Sequence, residues 1–120
     1  MAQRISVYGL GKLGCTMMVC FAHKGWQVIG VDINDSFVDK INKGESPIYE
    51  PGVAELLKKN KDRIFATKDT AEAFNRTDVS FIIVPTPSTK DGDFSIDYIL
   101  NVIRKIGIAL KDKDTYHLVV

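Results

Sequence analysis

Short β-rich runs alternate with segments of helical spacing along the whole chain, and this alternation limits the fold more than any other feature. Arg4 to Gly9 reads as a first strand, and Lys12 to Lys24 follows at helical spacing. Leu13, Met17, Cys20 and Phe21 are expected on the apolar side of that helix, and Gly25 is its stop. Trp26 to Asp32 is a second strand, and Asp35 to Lys43 a second helix with Phe37, Val38 and Ile41 inward. Gly44 to Gly52 holds two prolines and two glycines and reads as a loop. Pro51 is placed in the first turn of a helix that runs through Val53, Leu56 and Leu57 to Asn60. Arg63 to Thr67 is a third strand, and Asp69 to Asn75 a short helix capped by Thr67 or Asp69.

Asp78 to Pro85 is almost continuously apolar, as a parallel strand covered on both faces should be. After a loop from Thr86 to Ser95, a long helix reaches Leu110, with Ile96, Ile99, Leu100, Ile103 and Ile106 inward. Thr115 to Val120 is a fifth strand. Strands joined by helical crossovers pair in parallel with right-handed connections. The expected architecture is therefore α/β, a Rossmann-like doubly wound parallel sheet of order 3-2-1-4-5 with its switch point between strands 1 and 4. Residues 1–120 read as one dinucleotide-binding domain. Val120 falls in or beside a buried strand with no polar exit, so a piece of a longer chain is expected.

The alternation places one glycine cluster where it has chemical meaning. In "VYGLGKLG", Gly9, Gly11 and Gly14 follow a strand and open a helix. In that context Gly9 permits the tight turn, Gly11 lets backbone approach a pyrophosphate, and Gly14 lets the helix pack closely on the sheet. The helix start offers free N–H groups and a positive dipole end to phosphate. Gly9, Leu10, Gly11, Lys12, Leu13 and Gly14 are the candidate phosphate loop, with Lys12 as either an extra phosphate contact or a solvated lysine. Asp32 ends the next strand eighteen residues past Gly14, near the spacing of about 20 expected of a ribose-binding acid. Its carboxylate accepts from ribose hydroxyls and repels a 2′-phosphate, which favours NAD over NADP. Across the switch point the fourth strand ends in "VPTPS". Val84, Pro85, Thr86, Pro87 and Ser88 either face the nicotinamide-side ribose or make a rigid turn.

Composition sets other classes aside. At 45% hydrophobic and 26% charged residues with a net charge of +1, no overall field recruits nucleic acid or a membrane surface. The run Lys58, Lys59, Lys61 and Arg63 reads as a solvated helix end. Cys15 and Cys20, about 140° apart on a helix, read as small buried or half-buried residues in a reducing compartment. They carry no metal or disulfide spacing. No metal ligand and no catalytic residue is assigned. The start "MAQRISV" runs straight into a strand pattern, and a cytoplasmic protein is expected.

The motifs "GLGKLG", "GVDIN", "INKGESPIYEPG" and "VPTPSTKDGD", in this order and spacing, resemble the amino-terminal domain of the UDP-glucose/GDP-mannose dehydrogenase family. The resemblance covers essentially the whole chain. It implies oxidation of a nucleotide-sugar alcohol to a uronic acid with reduction of two NAD, in an enzyme that is a homo-oligomer when full length. It also implies that Gly9 to Gly14 hold pyrophosphate, that Asp32 holds the adenosine ribose, and that Val84 to Ser88 line the NAD crevice. Tyr49 to Gly52 match a family signature with a structural or positioning role. Lys12 stands where the family usually has tyrosine, and Phe37 where a basic residue often helps hold the ribose, which points to weaker NAD binding. The catalytic cysteine and the residues that read the sugar are expected beyond Val120. "SPIYEPG" leans toward a UDP-sugar, while "DVSFIIVPTPS" and the last helix resemble the GDP-mannose branch equally. A relative of the 3-hydroxyacid or 6-phosphogluconate dehydrogenases, and a non-enzymatic NAD/NADH-sensing module, share the glycine turn.

Overall fold

A computed structural model describes residues 3–120. Its centre is β1 (Arg4–Tyr8), whose residues from Ile5 onward are buried. β2 (Gln27–Val31) pairs with one edge of β1, in register Val7 with Gly30. β4 (Val79–Ile82) pairs with the other edge, in register Val7 with Phe81. β3 (Ile64–Thr67) flanks β2 and β5 (Leu118–Val119) flanks β4, all in parallel, in the order β3-β2-β1-β4-β5. That is the expected doubly wound sheet. Beyond β1 the chain turns to one side and beyond β4 to the other, which opens a crevice at the carboxyl ends of these strands.

α1 (Lys12–His23), α2 (Asp35–Asn42) and α3 (Val53–Lys59) carry the connections between the first three strands. Their core joins Ile5, Val7, Leu10, Cys15, Met18, Val28, Ile41 and Leu57. α4 (Thr70–Asn75) and α5 (Asp97–Leu110) enclose a second core around Tyr8, Ile29, Phe74 and Ile106. α2 begins where the Asn34 side chain accepts from the N–H groups of Ser36 and Phe37, and α4 where Asp69 accepts from Glu72 N–H. Such caps satisfy donors that the helix itself leaves free. Asp69, not Thr67, is thus the cap of α4.

Several local expectations change. α1 buries Gly14, Cys15, Met18, Val19 and Ala22, while Leu13 is 61% exposed and Cys20 is exposed. The helix is apolar on nearly every side, so periodicity could not select its face. α5 turns Ile99, Val102, Ile106 and Ala109 toward the protein and leaves Ile103 exposed, because it rests on α4 and the sheet along one narrow stripe, and Ile96, which caps the helix, is exposed as well. Pro51 lies in the turn before α3, and Gly52 caps that helix at φ 87°. β4 is shorter than expected and only half covered at Val79, Phe81 and Ile82. β5 is reduced to two residues.

Residues 115–117, expected within β5, lie outside it. His117, expected within the strand, is drawn toward the protein. Its Nε2 lies 2.7 Å from Ser80 Oγ and its Nδ1 2.9 Å from Lys113 Nζ. An ammonium only donates, so Nδ1 accepts and Nε2–H donates to Ser80. Lys113 Nζ also donates to the carbonyls of Phe74, at 2.7 Å, and Thr77. Ser80 Oγ continues to Ser6 Oγ at 2.7 Å, and Thr77 Oγ1 donates to Ser6 at 3.0 Å. This chain of bonds ties β5 to β4, β1 and the end of α4 where apolar packing is thin.

Burial, and after it the neighbouring Lys113 ammonium, holds His117 below its ordinary value of 6.5, against the weaker opposing effects of the Thr77 backbone and Asp78. Asp78 is itself lowered, chiefly by its hydrogen bond to Arg4. The folded protein therefore binds fewer protons than the unfolded chain below pH 6.5, so the stability given by neutral His117 is present above that pH and lost as pH falls through it. We expect the urea midpoint to drop between about pH 7.5 and about pH 5.5. His117→Gln, which keeps a donor and an acceptor but does not titrate, should flatten that dependence.

Candidate functional site

The crevice at the switch point has a volume of about 640 Å³, within the range of small-molecule and cofactor sites. One wall is the glycine turn. Gly9 has φ +101°, in the left-handed region, and a Cβ there would run into the carbonyl of Ile83. Gly14 sits against the carbonyl of Gly9 so closely that no side chain fits. This contact presses the start of α1 onto the end of β1. Gly11 differs: a Cβ built on it meets nothing within 4 Å. Protein packing does not demand a glycine at that position, whereas a group lying close above the backbone does. Gly11 also caps α1 without a side-chain hydrogen bond, so the helix start has no side-chain acceptor of its own. The cradle suits a pyrophosphate.

Asp32 forms the adjoining corner. Its Oδ2 accepts from Leu10 N–H at 2.7 Å and its Oδ1 from Asn34 N–H at 2.9 Å. The first bond links the end of β2 directly to the glycine turn. A carboxylate oxygen has more than one acceptor direction, so each retains capacity for a ribose hydroxyl. The turn and the acid are thus one hydrogen-bonded unit. Cys15 lies beneath it, with its Sγ 3.1 Å from the Leu10 carbonyl. Burial, aided by the Asp32 charge, pushes its thiol up to about 12, so it stays protonated at neutral pH and is a poor nucleophile.

Of the residues singled out in the sequence, Gly9, Leu10, Gly11, Lys12, Leu13, Gly14, Asp32, Val84 and Pro85 all line this crevice. Thr86, Pro87 and Ser88 are not on its wall. Ser88 pairs with Phe94 in an antiparallel bridge, and Pro87 O accepts from Ser95 N–H at 2.7 Å. The two prolines carry the chain out of the sheet, and this bridge folds the loop back on itself. Other lining residues escaped the sequence reading. Tyr98, Asn101, Val102 and Lys105 form the far wall from α5. Their spacing puts them on one helical face, a signal that is visible once the inward stripe is known. Lys68, paired with Asp35 at 2.9 Å, and Thr70 complete the rim. Phe37 lines the crevice at the start of α2. Among the described residues no group of three potential metal ligands is brought together, and no helix is long and apolar enough to cross a membrane.

Comparison with known proteins agrees with this geometry. Residues 3–120 match the UDP-glucose/GDP-mannose dehydrogenase family, NAD binding domain. The chain belongs to this family. It is an NAD-binding domain of the nucleotide-sugar dehydrogenase type. It is 48% identical over 120 residues to the GDP-mannose 6-dehydrogenase of Pseudomonas syringae pv. syringae, covering 98% of this chain and 27% of that protein. It is 41% identical over 119 residues to the UDP-glucose 6-dehydrogenase AglM of Haloferax volcanii, again covering 98% of this chain and 27% of the relative. A ternary-complex structure of GDP-mannose dehydrogenase from Pseudomonas aeruginosa superposes with a TM-score of 0.95 at 44% identity, over 98% of this chain and 27% of that one. The chain thus spans about 27% of the length of these relatives.

The glycines make separable predictions. Gly14→Ala forces a Cβ into the Gly9 backbone and should destabilise the fold by about 1–3 kcal/mol, as overpacking does. Gly11→Ala should leave stability within about 0.5 kcal/mol while weakening NAD binding at least tenfold. Thermal melting and NAD titration of the two variants check both outcomes.

Proposed function

We propose that this chain supplies the NAD site of a nucleotide-sugar 6-dehydrogenase, with GDP-mannose as the favoured substrate. The observation that carries the reading is the joined corner of the crevice, where open space over Gly11 lies beside an Asp32 carboxylate anchored on Leu10 N–H. Gly9 to Gly14 would hold the pyrophosphate, and Asp32 the adenosine ribose. Phe37 offers an apolar surface on the adenosine side, where a basic residue would add a charge contact. Val84 and Pro85 would line the nicotinamide side. Thr86, Pro87 and Ser88 belong to the NAD-lining segment through the family resemblance alone, since they lie off the crevice wall.

When bound, NAD accepts hydride from the sugar alcohol. The chain's own residues orient the dinucleotide and keep its phosphates against the helix start. Two successive oxidations of the C6 alcohol would give the uronic acid. The family resemblance implies a covalent step on a cysteine thiolate, and neither Cys15, buried and protonated, nor the exposed Cys20 stands at that position. We therefore assign that step, the reading of the sugar and subunit assembly to the complete enzyme, and expect these 120 residues alone to form no NADH from GDP-mannose and NAD. The sequence leaned toward a UDP-sugar. The preference for GDP-mannose rests on 48% identity to a GDP-mannose enzyme against 41% to a UDP-glucose enzyme.

Calorimetric titration tests the site. NAD should bind saturably, with NADP at least tenfold weaker, because a 2′-phosphate would face the Asp32 carboxylate. Asp32→Ala should weaken NAD by about tenfold or more, the loss of a hydrogen bond to a charged group, and narrow the difference between NAD and NADP. Equal binding of the two dinucleotides to the unaltered chain would overturn the assignment of Asp32.

A further inference from the structure

One ion pair at the crevice mouth joins two segments that the site description leaves separate. Lys12 is the first residue of α1 and lines the crevice. Its Nζ lies 3.3 Å from Glu50 Oε2, which belongs to the loop from Gly44 to Gly52. The Lys12 side chain is 74% exposed and that of Glu50 35% exposed. A lysine at a helix start is disfavoured by the helix dipole, and the first turn of α1 has no acidic residue to offset it. Glu50 brings in that negative charge from elsewhere in the chain, beside the place where phosphate is expected. An exposed pair of this kind is weak, whereas charge-assisted bonds to phosphate are strong. The two anions compete for one ammonium.

Building on the NAD site proposed above, we propose that Lys12 and Glu50 form an exchangeable pair. Lys12 leaves the Glu50 carboxylate for the pyrophosphate of the incoming dinucleotide, so Glu50 sets cofactor affinity downward and the loop is freed from the glycine turn when the cofactor binds. Lys12 is a positioning and affinity-setting residue on this account. Glu50 touches no cofactor and acts only through Lys12.

A double-mutant cycle of NAD dissociation constants tests this, using Glu50→Gln, Lys12→Gln and the double variant, each confirmed as folded by thermal melting. Both side chains are exposed enough for glutamine to replace them without a cavity. Glu50→Gln should tighten NAD by about threefold and Lys12→Gln should weaken it by about threefold, the scale of an exposed ion pair. The double variant should match Lys12→Gln, because Glu50 has no effect once its partner is gone. Hydrogen exchange across residues 44–52 should speed up when saturating NAD is added to the unaltered chain, and should not change in Lys12→Gln. If Glu50→Gln tightens NAD equally in both backgrounds, Glu50 acts on the cofactor through space and the exchange is overturned. No effect of Lys12→Gln overturns it as well. Failure of the unaltered chain to bind NAD overturns the site itself, and is thereby distinguished from failure of the pair.

Discussion

The contact of Gly14 with the backbone of Gly9 is the constraint on which the rest of the structure depends. It fixes the rotation of α1, since only the face that carries Gly14 can approach β1 so closely. Cys15, Met18, Val19 and Ala22 are buried as a result, and Leu13 and Cys20 are turned outward. It also aims the start of α1, with its free N–H groups, into the crevice between β1 and β4. A side chain at position 14 would push the helix off the backbone of Gly9. The bond from Leu10 N–H to Asp32 completes the unit, so the fold itself holds the glycine turn and the acid together.

The two halves of the molecule are held by different means. On the side of α1, α2 and α3, dense apolar packing joins helices to sheet. On the side of α4 and α5, a polar chain from Lys113 through His117 and Ser80 to Ser6 carries the edge strand. Apolar contacts there are fewer, and the outer residues Ile103, Ile108, Leu110, Leu118 and Val119 remain exposed. The half that carries the glycine turn is thus also the more thoroughly packed half. Pre-organised backbone donors need such support, because a loose cradle costs binding energy to order.

Sequence reading was strongest where the signal is local. A glycine at positive φ and a capping aspartate each act within a few residues of where they stand, whereas Asp32 reaches Leu10 across one strand–helix–strand unit whose length is regular enough to read as a spacing. Reading was weakest on the helices with more apolar surface than they bury. At the cap of α5 and within it, Ile96 and Ile103 carry the same local signal as Ile99 and Ile106, yet only the second pair turns inward. In α1 the information was present but spread over two clues. Apolar periodicity suggested the face of Leu13, Met17, Cys20 and Phe21, while the role already given to Gly14 required the face that is observed. The steric demand of a glycine outranks the apolar count, because a clash cannot be relaxed and an exposed leucine costs little.

The sequence by itself determined the order of elements, the parallel sheet and the place of the glycine turn relative to Asp32. These follow from residue periodicity, backbone freedom and the handedness of crossovers, all of which act over short stretches of chain. Only the tertiary structure decided which face of α1 and α5 is buried, that α5 supplies a wall of the crevice, that Thr86 to Ser88 turn away from it, and that Lys12 meets Glu50. Each of these depends on groups distant in sequence competing for the same space or the same charge. That competition is settled only when the sheet brings the groups together.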